Sequence, residues 1–234
     1  APWLPKTSKV STPKDQDIFS SNDTFFIEES NPDLAAEVVE DLVCSRLPKA
    51  LCLHPRDITV LSPMNLGPLG IVALNKRLQS RFIPEDSGLP EVKSQEICFR
   101  LGDRVCQRVN NYQLGNNSGV FNGDQGVVVG IDTAARILSV ELWDKRVINY
   151  PKDLLHQLDL AYALTIHRSQ GSEIPVVVLL AHTAHAIMLE RQLIYTAITR
   201  AKQKLVIVGT AKALALAAAR TRGKSRYTAL GTRF

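Results

Sequence analysis

An α/β parallel sheet with helices on both faces, interrupted by a small inserted β-barrel, is the fold class this sequence predicts. Three observations carry the prediction. Apolar strands alternate with helical stripes over residues 25–82. Residues 98–155 then switch to short strands broken by glycine turns. Strand–helix alternation resumes after Leu158 and runs to Arg220. Alternation on both sides of an all-β block makes that block an insertion within one α/β domain.

Residues 1–23 are rich in Pro, Ser, Lys and Asp, lack apolar periodicity, and read as an extended arm or linker. Phe25-Phe26-Ile27 is a short strand. Asn31-Pro32 offers a cap and a proline at the first helical position. A helix follows to about Leu47, with Leu34, Ala35, Val38, Val39, Leu42 and Val43 on one stripe. Residues 57–62 read as a buried strand, 68–82 as a helix, and 83–97 as a polar connector. In the β block the strands are 104–110, 126–131, 137–142 and 147–150, with turns at Asn122-Gly123-Asp124 and Asp132-Thr133. Beyond it come a strand at 160–166, an apolar strand at 176–181, a helix at 186–202, a strand at 205–208 and an Ala-rich helix at 211–220. The expected organisation is the arm, an α/β domain made of 24–97 and 156–234, and a β-module over 98–155.

Composition bounds the function classes. With 45% hydrophobic and 22% charged residues in 234, the chain has the make-up of an ordinary globular protein with a sizeable core. Its longest apolar runs, such as 175–181, are too short to cross a bilayer as a helix. Ala1-Pro2-Trp3-Leu4-Pro5-Lys6 has no apolar signal-peptide core and no initiator Met, so a processed or excised piece is expected. Four cysteines, at 44, 52, 98 and 106, form no C-x-x-C pair and do not match zinc spacing; reduced structural thiols are expected. The net charge of +5 weakly favours a polyanionic partner.

No G-x-x-x-x-G-K-[ST] occurs. Gly223-Lys224-Ser225 is a decoy, because Ala218 stands where the first glycine is needed. No apolar strand ends in an acidic pair suited to Mg²⁺. An independent ATPase is therefore not expected.

Two segments carry chemistry. The first is Ala161-Tyr162-Ala163-Leu164-Thr165-Ile166-His167-Arg168-Ser169-Gln170-Gly171-Ser172-Glu173, a buried strand that ends in a burst of polar groups and a glycine turn. Hydroxyls, an imidazole and backbone N–H groups at a strand end can bind phosphates; an ordinary strand-to-helix loop is the other reading. The second is Arg191-Gln192-Leu193-Ile194-Tyr195-Thr196-Ala197-Ile198-Thr199-Arg200-Ala201-Lys202. Thr196 and Arg200 share one helical face at i, i+4. An arginine so placed can neutralise charge on a transferring phosphoryl group, or can be a solvated helix-end charge.

Together these segments resemble motifs V and VI of superfamily 1 helicases of the RecD/TraA type. The string DITVLSPMNLGPLGIVALNKRLQ resembles motif IV, FRLGDRVCQRVNNY and GVFNGDQGVVVGID resemble an SH3-like module inserted in the second motor domain, and RYTAL resembles the family's C-terminus. The resemblance runs over residues 25–234. It implies a RecA-like (P-loop NTPase-like) second motor domain of a 5′→3′ DNA helicase of repair or recombination. The first RecA-like domain, with the phosphate loop and the Mg²⁺ ligands, would lie before Ala1. ATP and Mg²⁺ are the implied cofactors. Single-stranded DNA, the first motor domain and other repair proteins are the implied partners, in a bacterial cytoplasm with no membrane contact.

By the same resemblance Arg200 is the arginine finger, Gly171 and Glu173 lie near the nucleotide, and Gln192 and Tyr195 support the finger. Thr165 and His167 hold the single-strand backbone, and Ser62 and Pro63 face the same groove. In the module, Asn110, Asn111 and Tyr112 are candidate DNA contacts, with Arg104 and Arg108 expected on one strand face; ordinary polarity of a barrel surface is the other reading of each. Asn122-Gly123-Asp124 is read as turn chemistry. One departure stands out: after Pro63-Met64 the family has an aromatic and then a basic residue, but here Asn65 and Leu66 follow. Two alternatives remain open, a stand-alone nonspecific single-strand-binding module and the helicase part of a conjugative relaxase.

Overall fold

The computed structural model describes residues 23–94, 97–115 and 118–220. Nearly all of the N-terminal arm lies outside these residues, as do Gly223-Lys224-Ser225 and the RYTAL segment.

One five-stranded sheet is parallel throughout, in the order β1 (Thr24–Glu28), β12 (Ala201–Gly209), β11 (Ile174–Ala181), β2 (Ile58–Ser62), β10 (Ala163–Thr165). Its centre is β11, an unbroken apolar run because both its faces are covered. Val176, Val178 and Leu180 point to one face, Val177 and Leu179 to the other, and all are fully buried. Each such side chain contributes about 1.5–3 kcal/mol.

The first face is covered by α1 (Pro32–Asp41), α2 (Leu47–Leu51) and α3 (Ile71–Phe82) through Ala36, Val39, Leu47, Leu74 and Leu78. The second is covered by α4 (Arg191–Ile198) and α5 (Ala211–Ala219) through Ile194, Ala197, Leu214 and Ala217. Asn31 caps α1 as its sequence suggests, its side-chain oxygen accepting from Asp33 N at 2.9 Å. The helical path runs beyond Leu47, through a π-type turn at Leu42–Arg46 into α2, and stops at Cys52 in a left-handed conformation. The helix expected from 68 starts at Ile71, because 64–70 fold into a loop of their own. Gly70 is pressed against it, and a Cβ there would stand 2.5 Å from Asn65 O.

The inserted module is a five-stranded antiparallel sheet in the order β8 (Val147–Tyr150), β7 (Ile137–Leu142), β6 (Gln125–Asp132), β5 (Arg104–Gln107), β9 (Leu158–Leu160). The connector expected at 83–97 holds a strand, β3 (Glu91–Ser94), hairpinned with β4 (Ile97–Arg100). Val105, Val128, Val140, Ile148, Tyr150 and Leu158 join the same core as α1 and α3, so module and parallel sheet share one interior.

The strand expected at 160–166 is two strands. Leu158–Leu160 pairs with β5 in the module, and Ala163–Thr165 pairs with β2 in the parallel sheet. Asn75 on α3 enforces the step: its amide donates to Leu160 O at 3.1 Å and Ala163 O at 2.9 Å, and accepts from Ala163 N at 2.8 Å. Tyr162, between the two strands, stacks on Phe82 at 5.4 Å and donates to Asp103 Oδ1 at 2.8 Å. Asp103 Oδ2 accepts from Gln79 Nε2 and Arg100 N, both at 2.6 Å. Burial pushes the Asp103 carboxyl above its ordinary range, against these hydrogen bonds.

Arg104 corrects an expectation. It does not share an open face with Arg108. Its guanidinium is buried and donates to Ile58 O at 2.7 Å and Thr59 Oγ1 at 3.1 Å, tying β5 to β2. Burial lowers its pKa to about 10. Arg108 lies past the end of β5 and pairs with Asp159 at 3.5 Å.

Candidate nucleotide and nucleic-acid sites

The parallel register sorts the expected site residues between two edges of the sheet. Thr165 stands opposite Ser62 at the carboxyl edge. Ile174 stands opposite Ala201 at the amino edge, directly after Glu173 and Arg200. The segment 166–173 therefore runs back from one edge to the other, past β2. Along the strands this spans about 20 Å at ~3.3 Å per residue.

At the carboxyl edge, Thr165 is half-buried and its hydroxyl accepts from Arg168 N at 3.3 Å. His167 is exposed. Ser169 is buried and donates to Ile166 O at 2.8 Å, which tightens the turn. Ser62 and Pro63 depart from their expected role as groove-facing contacts. Both are buried, and the Ser62 hydroxyl donates to Leu69 O at 2.7 Å, anchoring the 64–70 loop. The residues of that loop open to solvent are Asn65, Leu66, Gly67 and Pro68.

At the amino edge, Arg200 sits in the turn before β12, not on a helix, because α4 ends at Ile198. Its guanidinium is nevertheless held. Nε donates to Thr196 O at 3.2 Å, Nη1 to Ser172 O at 3.3 Å and Nη2 to Thr199 Oγ1 at 3.3 Å. Its carbonyl accepts from Ile174 N at 2.9 Å. The support expected from Gln192 and Tyr195 comes from Thr196, Thr199 and Ser172 instead; Tyr195 is 68% exposed and Gln192 is also exposed. Gly171 has φ +86 with open space around it, a conformation that favours glycine. Glu173 is exposed and paired with Lys202. The Lys202 hydrogen bond and charge, with a smaller part from Arg200, hold its carboxyl below the usual range. The structure thus brings Gly171, Glu173 and Arg200 together and keeps them apart from Thr165 and His167.

On the module, Asn111 is committed internally, donating to Gln157 Oε1 at 3.0 Å and accepting from Gln113 N at 3.1 Å. Asn110 accepts from Asn122 N at 2.8 Å. Asn111 is therefore engaged through both ends of its amide, whereas Asn110 is exposed and engages its side-chain oxygen. Tyr112 is 68% exposed and meets Phe121 edge to face at 5.8 Å. Phe121 escapes sequence reasoning because the adjoining Asn122-Gly123-Asp124 signals only a turn. That turn is closed by Asp124 Oδ2 accepting from Phe121 N at 2.8 Å. Among the described residues, no group of three or more His, Cys, Asp or Glu could hold a metal ion, and no helix is long and apolar enough to cross a membrane.

Residues 160–208, which include β10, the crossover segment, α4 and most of β12, match the UvrD-like helicase C-terminal domain. Residues 74–142 match the ATP-dependent RecD-like DNA helicase SH3 domain. The fold and these matches define a class, a UvrD-like helicase C-terminal domain of parallel α/β type carrying a RecD-like SH3 domain. More particularly, the chain matches the C-terminal part of RecD-type helicases. It is 43% identical to the ATP-dependent RecD2 DNA helicase of Deinococcus radiodurans over 176 residues, which is 75% of this chain and 23% of that protein. It is 32% identical to the RecBCD enzyme subunit RecD of Mycobacterium tuberculosis over 172 residues, 74% of this chain and 26% of that one. The chain therefore spans about a quarter of the length of these relatives. Among solved structures, Pif1 helicase from Bacteroides in complex with ADP-AlF3 and ssDNA aligns with a TM-score of 0.47 and 15% identity, over 74% of this chain and 48% of that one.

Proposed function

We propose that this chain is the second motor half of an ATP-dependent DNA helicase that moves 5′→3′ along a single strand, with Arg200 as its arginine finger. One observation carries the reading. The Arg200 guanidinium is fixed by carbonyls of two different segments, Thr196 and Ser172, beside Glu173, at the sheet edge opposite Thr165 and His167. Nucleotide sensing and DNA grip then occupy two ends of one rigid sheet, joined by the 166–173 segment.

In this reading a first RecA-like domain brings the phosphate loop, ATP and Mg²⁺ to the amino edge. Arg200 meets the γ-phosphate, and its prior anchoring limits the reorganisation needed as charge develops. Gly171 keeps the approach open, and Glu173 exchanges Lys202 for the ribose. ATP shared between the two domains closes the cleft, hydrolysis reopens it, and Thr165 and His167 take a new grip on the backbone. Without the first domain the chain does not hydrolyse ATP.

The test uses the full-length parent protein. Arg200→Ala is expected to lower DNA-stimulated ATP hydrolysis by about 10³-fold or more. Arg200→Lys should not rescue it, since an ammonium lacks the planar fork. Hydrolysis that survives Arg200→Ala would overturn the assignment. Polarity is read from tailed duplexes: unwinding from a 5′ tail is expected, and unwinding from a 3′ tail alone would refute that part.

A second reading, single-strand binding by this chain itself, is favoured by the exposed Tyr112–Phe121 pair, which suits base stacking. Salt-dependent binding of an oligonucleotide by the isolated chain tests it.

A further inference from the structure

The module sheet and the amino edge of the parallel sheet leave an open cleft of about 460 Å³ between them. That is the size of a small-ligand site. Val127, Val129, Glu141 and Trp143 line its module wall, and Asp57, Ser172 and Glu173 its other wall. Val127 and Glu141 are cross-strand partners, while Gly126 and Val128 are buried, so β6 and the end of β7 turn their outer face to the cleft. On that wall Val129 is 45% and Trp143 47% exposed, leaving an apolar surface with an indole uncovered.

The charges narrow what could sit there. The cations on the walls are Arg56, Arg104 and Lys145, and the anions are Asp57, Glu141 and Glu173. Lys145 is already paired with Glu141 at 2.9 Å, and both Nη atoms of Arg104 are bound to Ile58 O and Thr59 Oγ1, its buried Nε alone lacking a partner. A DNA backbone needs a surplus of cations, which this cleft lacks. An aromatic face next to carboxylate acceptors suits an uncharged base and sugar instead.

Position supplies the remaining link. Ser172, whose carbonyl anchors Arg200, lines the cleft together with Glu173. We infer that this cleft receives the nucleoside end of the nucleotide, with Trp143 of the module stacking on the base, so that the inserted module is part of the nucleotide site. The inference rests on the reading of Arg200 as the group that meets the phosphates.

The experiment uses the full-length parent protein and 2-azido-ATP. Photolysis is expected to label the turn between β7 and β8, which contains Trp143, and Trp143→Ala should remove that label. Trp143→Ala should raise KM for ATP about tenfold, the size of one lost base–aromatic stack, with kcat within about twofold. Trp143→Phe should restore most of the loss. Inhibition by inorganic tripolyphosphate, which has no base, should not change. Label that misses this turn overturns the inference, as does an equal loss of ATP and tripolyphosphate binding. The two readings fail separately. Labelling at the turn with hydrolysis intact in Arg200→Ala sinks the finger but not the cleft. A dead Arg200→Ala enzyme with no label at the turn sinks the cleft alone.

Discussion

Asp159 accepts Arg168 Nη1 at 2.6 Å, joining the last strand of the module to the segment that crosses the edge of the parallel sheet. The same carboxylate takes Arg108 at 3.5 Å. The side chains of Asp159 and Arg168 are 21% and 24% exposed, so solvent screens the pair only in part. Asp159→Ala is expected to cost about 1–2 kcal/mol in urea unfolding. A double-mutant cycle with Arg168→Ala should give a coupling of at least ~0.5 kcal/mol. Strict additivity would show that the contact stabilises nothing.

His185 makes stability depend on pH. It is buried, its Nδ1 has no partner, and burial, with a smaller part from His182, lowers its pKa to about 4. An unfolded histidine titrates near 6.5. As pH falls below that value the unfolded chain takes the proton first. Stability is then full above about pH 6.5 and drops by about 3 kcal/mol on the way to pH 4. His185→Leu should flatten this part of the profile. Wild-type stability that is constant between pH 6.5 and 4.5 would contradict the assignment.

The carboxyl edge predicts a DNA phenotype. Thr165→Ala combined with His167→Ala in the full-length protein should weaken single-strand binding about tenfold, measured by anisotropy of a labelled oligonucleotide. The slope of log K against log salt should change by less than about one, because neither side chain is a lysine or arginine that releases a counterion. Unchanged affinity would remove both residues from the DNA track.

Gly209 closes β12 with φ +150, and a Cβ there would stand 2.0 Å from Ala181 O on the neighbouring strand. Neither backbone can yield without breaking the register of Ala181 with Gly209. Gly209→Ala is expected to cost about 3 kcal/mol or more, or to prevent folding. A thermal midpoint within a degree or two of wild type would show that the strands can separate cheaply.

The parallel sheet is legible in the sequence because β11 is an apolar run with covered faces on both sides, and α1 announces itself through Asn31-Pro32. The step at Ala161-Tyr162 is not legible. Both half-strands are apolar, and Asn75, which separates them, lies 85 positions before Leu160. The end of α4 is hidden similarly: the apolar pattern passes from Ile198 into Ala201 while the chain changes from helix to strand. Around the candidate sites, the motifs single out Arg200, Glu173 and Thr165 but do not say which edge of the sheet each occupies. Ser62, Asn111 and Arg104 mislead, because a one-dimensional pattern does not say whether a polar side chain is already satisfied by a backbone carbonyl or a neighbouring amide.

Leu160 and Ala163, three positions apart, end one sheet and begin the other. Strand β5 finds its second neighbour only in β9, so the module sheet stays incomplete until the ribosome has passed residue 160. By then the next residues already belong to β10 and its partner β2. Completion of the insertion and re-entry into the parallel sheet are thus one event. With a common interior, the two parts should melt in a single calorimetric transition, and a truncation ending at residue 155 should leave an exposed, association-prone strand edge.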